Sequence, residues 1–474
     1  MNELQKKLTR MIRMKEQAAV EYPDDPWRLG FHLMPPVGWL NDPNGLCYFR
    51  GEYHVFFQYA PFDPNGSTKF WGHYKSSDML SWEYCPVALY SDQPYDLHGV
   101  YSGSALCEPD GLYLYYTGNV KYDGDYDYIR SGRESNTVVA YLPDGVHLEW
   151  KRLLMTNMDY PTGLSLHVRD PKVWKQDYTY YMVQGARTSD NIGEVLVFES
   201  KDQFHWKHIN TLRTPIPFGY MWECPDLFQI DGQWILLVCP QGTGKSGPGF
   251  ENQYACGYFP LYGDFRSNIS LGEFVPLDYG FDFYAPQTFC DGNRRLIIGW
   301  MGMPDAEYSN PTTERGWQHC LSQVREVRYL NGKLLLNPIR EIERLWKDSR
   351  KYTLSARTVI ELPHLADITI SCDERLTLQL SGLTLKYENG NLVLSIQSGG
   401  YGRNTRTAPV KELRQLRILM DTSSIEIFVN NGESVLSTRW YPESEKRTLT
   451  ISGAEEVIVH DLHPMIIMKY QNRG

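Results

Sequence analysis

Three acids stand in stretches unlike an ordinary charged surface: Asp42 in "WLNDPNG" (39–45), Asp170 in "HVRDPKVW" (167–174) and Glu223 in "MWECPDL" (221–227). Each has a plainer explanation. Asp42 beside Pro43 and Gly45 reads first as a turn residue. Asp170 could pair with Arg169, whereas Glu223 between Trp222 and Cys224 sits where an unpaired carboxylate is costly. Two carboxylates flanking a glycosidic bond are what retaining glycoside hydrolysis requires, one ionised to attack and one protonated to donate. Neighbouring amides and turn N–H groups suit Asp42 to the anionic, nucleophilic part. The aromatic and thiol neighbours of Glu223 disfavour its charge and suit it to acid/base work. Asp170, next to Arg169, is expected to remain ionised, gripping sugar hydroxyls and supporting an oxocarbenium-like transition state.

The elements that would bring these acids together are hairpins. Five stretches carry aromatic or β-branched residues on both sides of a short polar turn: 47–59, 105–118, 173–185, 227–239 and 288–300. Their turns fall near residues 51, 110, 177, 231 and 292, a period of about 60 that suits propeller blades better than solenoid coils. The Ser-x-Asp-x-x-x-Trp of "SSDMLSW" (76–82) returns in "SKDQFHW" (200–206). Nine residues before Gly51, Gly111 and Gly232 stand Asp42, Ser102 and Glu223, and eight before Tyr178 stands Asp170. The same count from Gly292 reaches Phe283, between Asp282 and Tyr284. Equivalent positions on innermost strands form a ring, so the three acids are expected to converge on one channel.

An all-β fold follows, a five-bladed β-propeller and then a C-terminal β-sandwich. The expected division is a helical extension over 1–29, the propeller over 30–338, a linker helix over 339–351 and the sandwich over 352–474. The spacing of Leu4, Leu8, Met11 and Ile12 predicts the first helix, and "NPIREIERLWKDSR" predicts the second. Beyond 352 come alternating strands with turns at Asn389-Gly390 and Asn431-Gly432.

Composition narrows the partners. A net charge of −10 with no basic run argues against nucleic acid, and no stretch approaches the roughly 20 apolar residues of a membrane span. The nine cysteines include no Cys-x-x-Cys pair, and the N-terminus lacks the apolar run of a secretory signal. A cytoplasmic protein is therefore expected. The "GTGKSG" of 242–247 suggests a phosphate loop, but the position that needs a first glycine is Cys239 and the context is a hairpin. His54, His73 and His167 lack metal-ligand spacing, so no metal and no cofactor is expected.

"WLNDPNG", "RDP" (169–171) and "WECPD" (222–226) resemble the signature motifs of glycoside hydrolase family 32, the β-fructofuranosidases. So do "FFQYAPF" (56–62), "WGHYKSSDML" (71–80), "YSGSA" (101–105), "DFYAPQTF" (282–289) and "IEIFVNNGE" (425–433), in the family's order. The resemblance implies that Asp42 attacks the anomeric carbon of a terminal fructosyl unit. Glu223 would protonate the leaving oxygen and then activate water, with Asp170 stabilising the transition state. It further implies substrate contacts from Trp39, Asn41, Gln58, Trp71, Tyr101, Ser102, Arg169, Tyr284 and Trp300. The implied partners are small saccharides: sucrose, sucrose-6-phosphate or a short fructo-oligosaccharide. Homo-oligomerisation stays open. The missing export signal favours the intracellular sucrose and sucrose-6-phosphate hydrolases of bacteria over exo-acting fructan hydrolases. Three acids around a channel would also suit an arabinan or xylan hydrolase, or a catalytically silent sugar-binding propeller. Many relatives carry a tryptophan eight residues after the glutamine of the second motif, where this chain has Gly66.

Overall fold

The computed structural model describes residues 2–19, 25–244 and 246–470. Helix Glu3–Ala19 opens the chain; of the apolar set Leu4, Leu8, Met11 and Ile12 it buries Ile12, whereas Leu4 and Met11 are exposed. The regular structure after it is almost all strand, in six sheets, with three short 3₁₀ stretches among the described residues. The innermost strands are Gly38–Phe49, Val100–Glu108, Leu164–Gln176, Met221–Ile230 and Tyr284–Cys290. Each touches the next, and the last returns to the first, so they enclose an axis.

The expectation of a five-bladed propeller is corrected to four blades. Four blades are built from strands close together in the chain, spanning 100–155, 164–212, 221–276 and 284–338. The sheet that carries Asp42 is a composite of six strands. Trp317–Gln318 joins one edge parallel to Gly38–Trp39, and Ile466–Lys469 joins the other parallel to Ser81–Tyr84. The hairpin period could not show this, because the added strands come from within the 284–338 span and from the chain's far end.

The C-terminal region keeps the sandwich-like arrangement expected of it. Its strands form one ten-stranded sheet in which Ala366–Leu380 and Arg447–Leu462 are long enough to serve both faces of a sandwich-like barrel. Leu378, Leu385, Leu394, Ile418 and Ile451 fill the space inside. The linker helix is replaced by a single 3₁₀ stretch, Arg340–Leu345, followed at once by strand Trp346–Thr353. That strand pairs with Arg447–Leu462, so of the helically spaced Ile342, Leu345 and Trp346 the first two stay in the 3₁₀ stretch and Trp346 enters a strand.

Buried charge ties this barrel to the blades. Arg325 reaches Glu426 at 2.5 Å and Asp278 at 3.2 Å, and His32 lies between Asp421 at 2.7 Å and Glu426 at 2.9 Å. Burial works against the charge of Glu426, but Arg325 and His32 outweigh it and hold the carboxyl at about 2. Stability from Glu426 is therefore present above the ordinary carboxylate range and lost as pH falls toward 2. Arg325→Met would leave Glu426 and Asp278 without their shared cation. We expect it to cost about 3–5 kcal/mol, read as a lowered urea midpoint at neutral pH.

Candidate active site

Bulges aim the site. On every innermost strand the ladder slips at the same level: between Leu40 and Pro43, between Val100 and Gly103, at Arg169–Lys172, between Glu223 and Asp226, and between Tyr284 and Gln287. A bulge puts two residues opposite one and turns a side chain out of alternation. Asp170, Cys224 and Ala285 take positive φ there, at 62°, 50° and 48°. Non-glycine residues are held in that region only where the surroundings over-determine them. The five bulges therefore swing Asp42, Ser102, Asp170, Glu223 and Tyr284 toward the axis at one depth. Pro43, Asn44, Gly103, Pro171 and Gln287 pack with Ser102, Asp170 and Cys224 around a gap too small to hold a water molecule.

Asp42 accepts a hydrogen bond from Asn41 Nδ2 at 2.9 Å and a short one from the Ser102 hydroxyl. Gln58 braces both donors: its Oε1 accepts from Asn41 at 3.2 Å and its Nε2 donates to Ser102 Oγ at 2.8 Å. Trp39 Nε1 fixes the Asn41 carbonyl at 2.8 Å. Burial pushes the Asp42 carboxyl up from its ordinary value, only partly offset by Ser102 and Asn41, and Glu223 adds to the rise.

Glu223 lies among donors rather than in the apolar pocket its sequence neighbours suggested. Arg169 Nη2 donates to Oε1 at 2.7 Å, while Gln241 Nε2 and the Tyr284 hydroxyl reach Oε2 at 2.8 and 2.7 Å. Trp222 points the other way, into the blade core against Phe259. Asp170 accepts the Cys224 N–H at 2.9 Å, and Arg169 comes no nearer than 4.0 Å to it. Burial is the largest influence and, with Glu223 and Asp42 nearby, raises Asp170 to about 7 against the pull of Arg169. The expectation that Arg169 keeps Asp170 ionised is corrected, because the guanidinium is directed at Glu223.

The remaining residues divide by depth. Trp39 and Trp300 form one wall with centroids 5.9 Å apart, and His319 packs edge-on to both. Trp71 is completely buried and donates to the Tyr101 carbonyl at 3.1 Å, so it supports the channel from behind. Asp282, adjacent to the fifth ring position, is turned away and held by Arg403 at 2.7 Å.

Several neighbours had no legible signal. Gln241 reaches Glu223 from the adjacent strand, where Met221 pairs with Gln241. Lys69 projects its ammonium over the Trp39 ring at 4.6 Å, and a Cβ on Gly66 would meet that ammonium at 3.1 Å. Burial pushes Lys69 down to about 7 although Asp42 and Asp63 pull it up. The glycine noted in the second motif was the available hint: it leaves the space this cation fills. His54 and His73 bond each other at 3.0 Å away from the ring, whereas His167 lies beside Arg169. Lys245 of "GTGKSG" lies outside the described residues.

A closed ring of bulged strands that presents three carboxylates with fixed donors is an arrangement suited to a glycoside hydrolase. The Glycosyl hydrolases family 32 N-terminal domain matches residues 32–338 and the family's C-terminal region matches 385–463. The chain belongs to glycosyl hydrolase family 32. It is 37% identical to the sucrose-6-phosphate hydrolase of Bacillus subtilis, over 95% of this chain and 96% of that one. It is likewise 37% identical to the sucrose-6-phosphate hydrolase of Klebsiella pneumoniae, over 90% and 91%. Among solved structures, a Bombyx mori β-fructofuranosidase variant in complex with sucrose superposes with a TM-score of 0.87 at 29% identity, covering 98% of this chain and 100% of that one. A sucrose-6-phosphate hydrolase from Lactobacillus gasseri gives 0.87 at 26%, covering 96% and 97%.

Proposed function

We propose that the chain is a retaining β-fructofuranosidase that hydrolyses the terminal fructosyl bond of sucrose and sucrose-6-phosphate. The observation that carries this is the convergence of Asp42, Asp170 and Glu223 at one bulge level of the ring, in a chain of this family. Neutral donors, the Asn41 amide and the Ser102 hydroxyl, hold Asp42, whereas Glu223 is placed by a cation and two longer side chains. In this reading Asp42 attacks the anomeric carbon and forms a covalent fructosyl–enzyme. Glu223 gives its proton to the leaving oxygen, then takes one from the water that releases fructose. Asp170 binds fructose hydroxyls and answers the positive charge that develops on the ring. Asn41, Gln58, Ser102, Tyr101, Arg169 and Tyr284 place the sugar, Trp39 and Trp300 form its apolar wall, and Trp71 positions Tyr101.

Residues 30–338 carry the chemistry and the C-terminal barrel buttresses it. No helix among the described residues is long and apolar enough to cross a membrane. The phosphorylated substrates in the names of the curated relatives support work inside the cell.

The reading is tested by kcat/KM on sucrose, sucrose-6-phosphate, a short fructo-oligosaccharide and inulin. Sucrose and its 6-phosphate should lead, and arabinose release from arabinan without fructose release from sucrose would overturn it. The acid limb carries a second expectation. Asp170 titrates near 7 and must be ionised to stabilise the transition state, so kcat/KM should fall as pH drops through about 7. Asp42 and Asp170 act on each other, so that titration belongs to the pair. Asp170→Asn should lower kcat by roughly 10²–10³-fold and displace the limb, and an unchanged limb would count against it.

A further inference from the structure

Beyond Glu223, on the rim formed by strands Arg133–Leu142, Leu164–Gln176 and Thr179–Thr188, positive charge collects without a matching acid. Arg133 Nη1 lies 3.1 and 3.0 Å from the two ring nitrogens of His167, and Arg169 Nη1 reaches Nδ1 of the same ring. Gly185 pairs with Arg169 and Ala186 with Val168, which brings Arg187 beside His167. Burial, reinforced by Arg169, Arg133 and Arg187, drives His167 down to about 2, so the imidazole is neutral and screens none of this charge.

The nearby acids are engaged elsewhere. Glu223 takes Arg169. Asp127 accepts the backbone N–H groups of Ile129, Arg130 and Ser131, and Glu134 accepts from Tyr122 and Asn136. Arg187 bonds the Asn191 carbonyl oxygen at 3.0 and 2.8 Å and lies over the Tyr220 ring, and Arg130 donates to the Ser189 carbonyl. Among the described residues, no carboxylate lies within 4.0 Å of the Arg130, Arg133 or Arg187 guanidinium, and Arg133 Nε is buried without any partner. In a chain of net charge −10, a half-buried group of unpaired guanidiniums is costly to assemble. Guanidiniums meet phosphate oxygens through paired N–H donors, and a phosphate dianion would relieve their mutual repulsion.

We propose that Arg133 and Arg187, with Arg130 at the outer rim, hold the phosphate monoester of a phosphorylated leaving sugar. The inference rests on the function proposed above, since the residue that protonates the leaving oxygen marks the leaving-group side. It makes sucrose-6-phosphate rather than sucrose the substrate the site is built for, with glucose 6-phosphate as the product bound there.

The test uses Arg133→Gln, Arg187→Gln and the double variant of the full chain. Kinetics on sucrose-6-phosphate and sucrose read the selectivity ratio, and calorimetry reads glucose 6-phosphate binding directly. Each single replacement should lower the ratio of kcat/KM for sucrose-6-phosphate over sucrose by roughly 10- to 100-fold. Each should weaken glucose 6-phosphate binding to a similar degree without a comparable effect on glucose, and Arg187→Lys should recover part of the loss. Should Arg133→Gln fail to fold, the more exposed Arg187→Gln carries the test. Unchanged ratios together with unchanged glucose 6-phosphate binding would overturn the proposal. A wild-type enzyme that cleaves neither substrate would instead overturn the function on which it rests, and the calorimetry would still decide whether these arginines hold a sugar phosphate.

Discussion

Asp42→Ala is expected to lower kcat on sucrose by roughly 10⁵-fold, the scale seen when an attacking group is removed from an otherwise intact site. The geometry makes this the most damaging single change. Asn41 and Ser102 donate to that carboxylate, with Gln58 bracing both, and no other acid of the ring shares those donors. The same change should not unfold the protein. Burial raises the Asp42 carboxyl, which means the folded site disfavours its charge, so at neutral pH the alanine variant should melt no lower than wild type. Measuring kcat beside a thermal midpoint separates the two effects. Retention of more than about a hundredth of wild-type kcat would be incompatible with Asp42 as nucleophile, since the proposed covalent route has no substitute for it.

Glu223→Gln is expected to cost roughly 10²–10⁴-fold in kcat on sucrose, the range of general acid–base catalysis. Gln keeps the shape and can still meet Gln241 and Tyr284, but it cannot deliver a proton. The loss should shrink for a fructoside with a good leaving group, because such a bond needs little protonation to break. A second consequence follows from coupling. The charge of Glu223 contributes to the upward displacement of both Asp42 and Asp170, so its removal should move the acid limb of kcat/KM to lower pH. If the alkaline limb persists in Glu223→Gln and the leaving group makes no difference, another residue is the acid.

Much of this site was legible before any fold. The constant offset of nine between Asp42 and Gly51, Ser102 and Gly111, and Glu223 and Gly232 survives as one ring level, because hairpins with equal arms reach the axis at equal height. What failed was inference from chain neighbours to electrostatic neighbours. Trp222 and Cys224 flank Glu223 in sequence, yet the bulge at Cys224 sends Glu223 toward Arg169, Gln241 and Tyr284. Arg169 adjoins Asp170 covalently but is directed at the other acid. The count of five blades failed for a related reason, since Trp317–Gln318, from within the 284–338 span, and Ile466–Lys469, from the chain's far end, both join the first sheet.

The all-β class, the hairpin period and the identity of the three acids are all written in the order of residues. They follow from local preferences: aromatic and β-branched runs extend, glycine turns fold them back, and side chains alternate with a period of two. Three-dimensional packing was needed to settle which acid each arginine serves, how burial and mutual repulsion set the carboxyl pKa values, and where unpaired cations collect around His167. Charge interactions act through space, and with the bulges redirecting each strand at the same level, proximity along the chain no longer reports proximity in the channel.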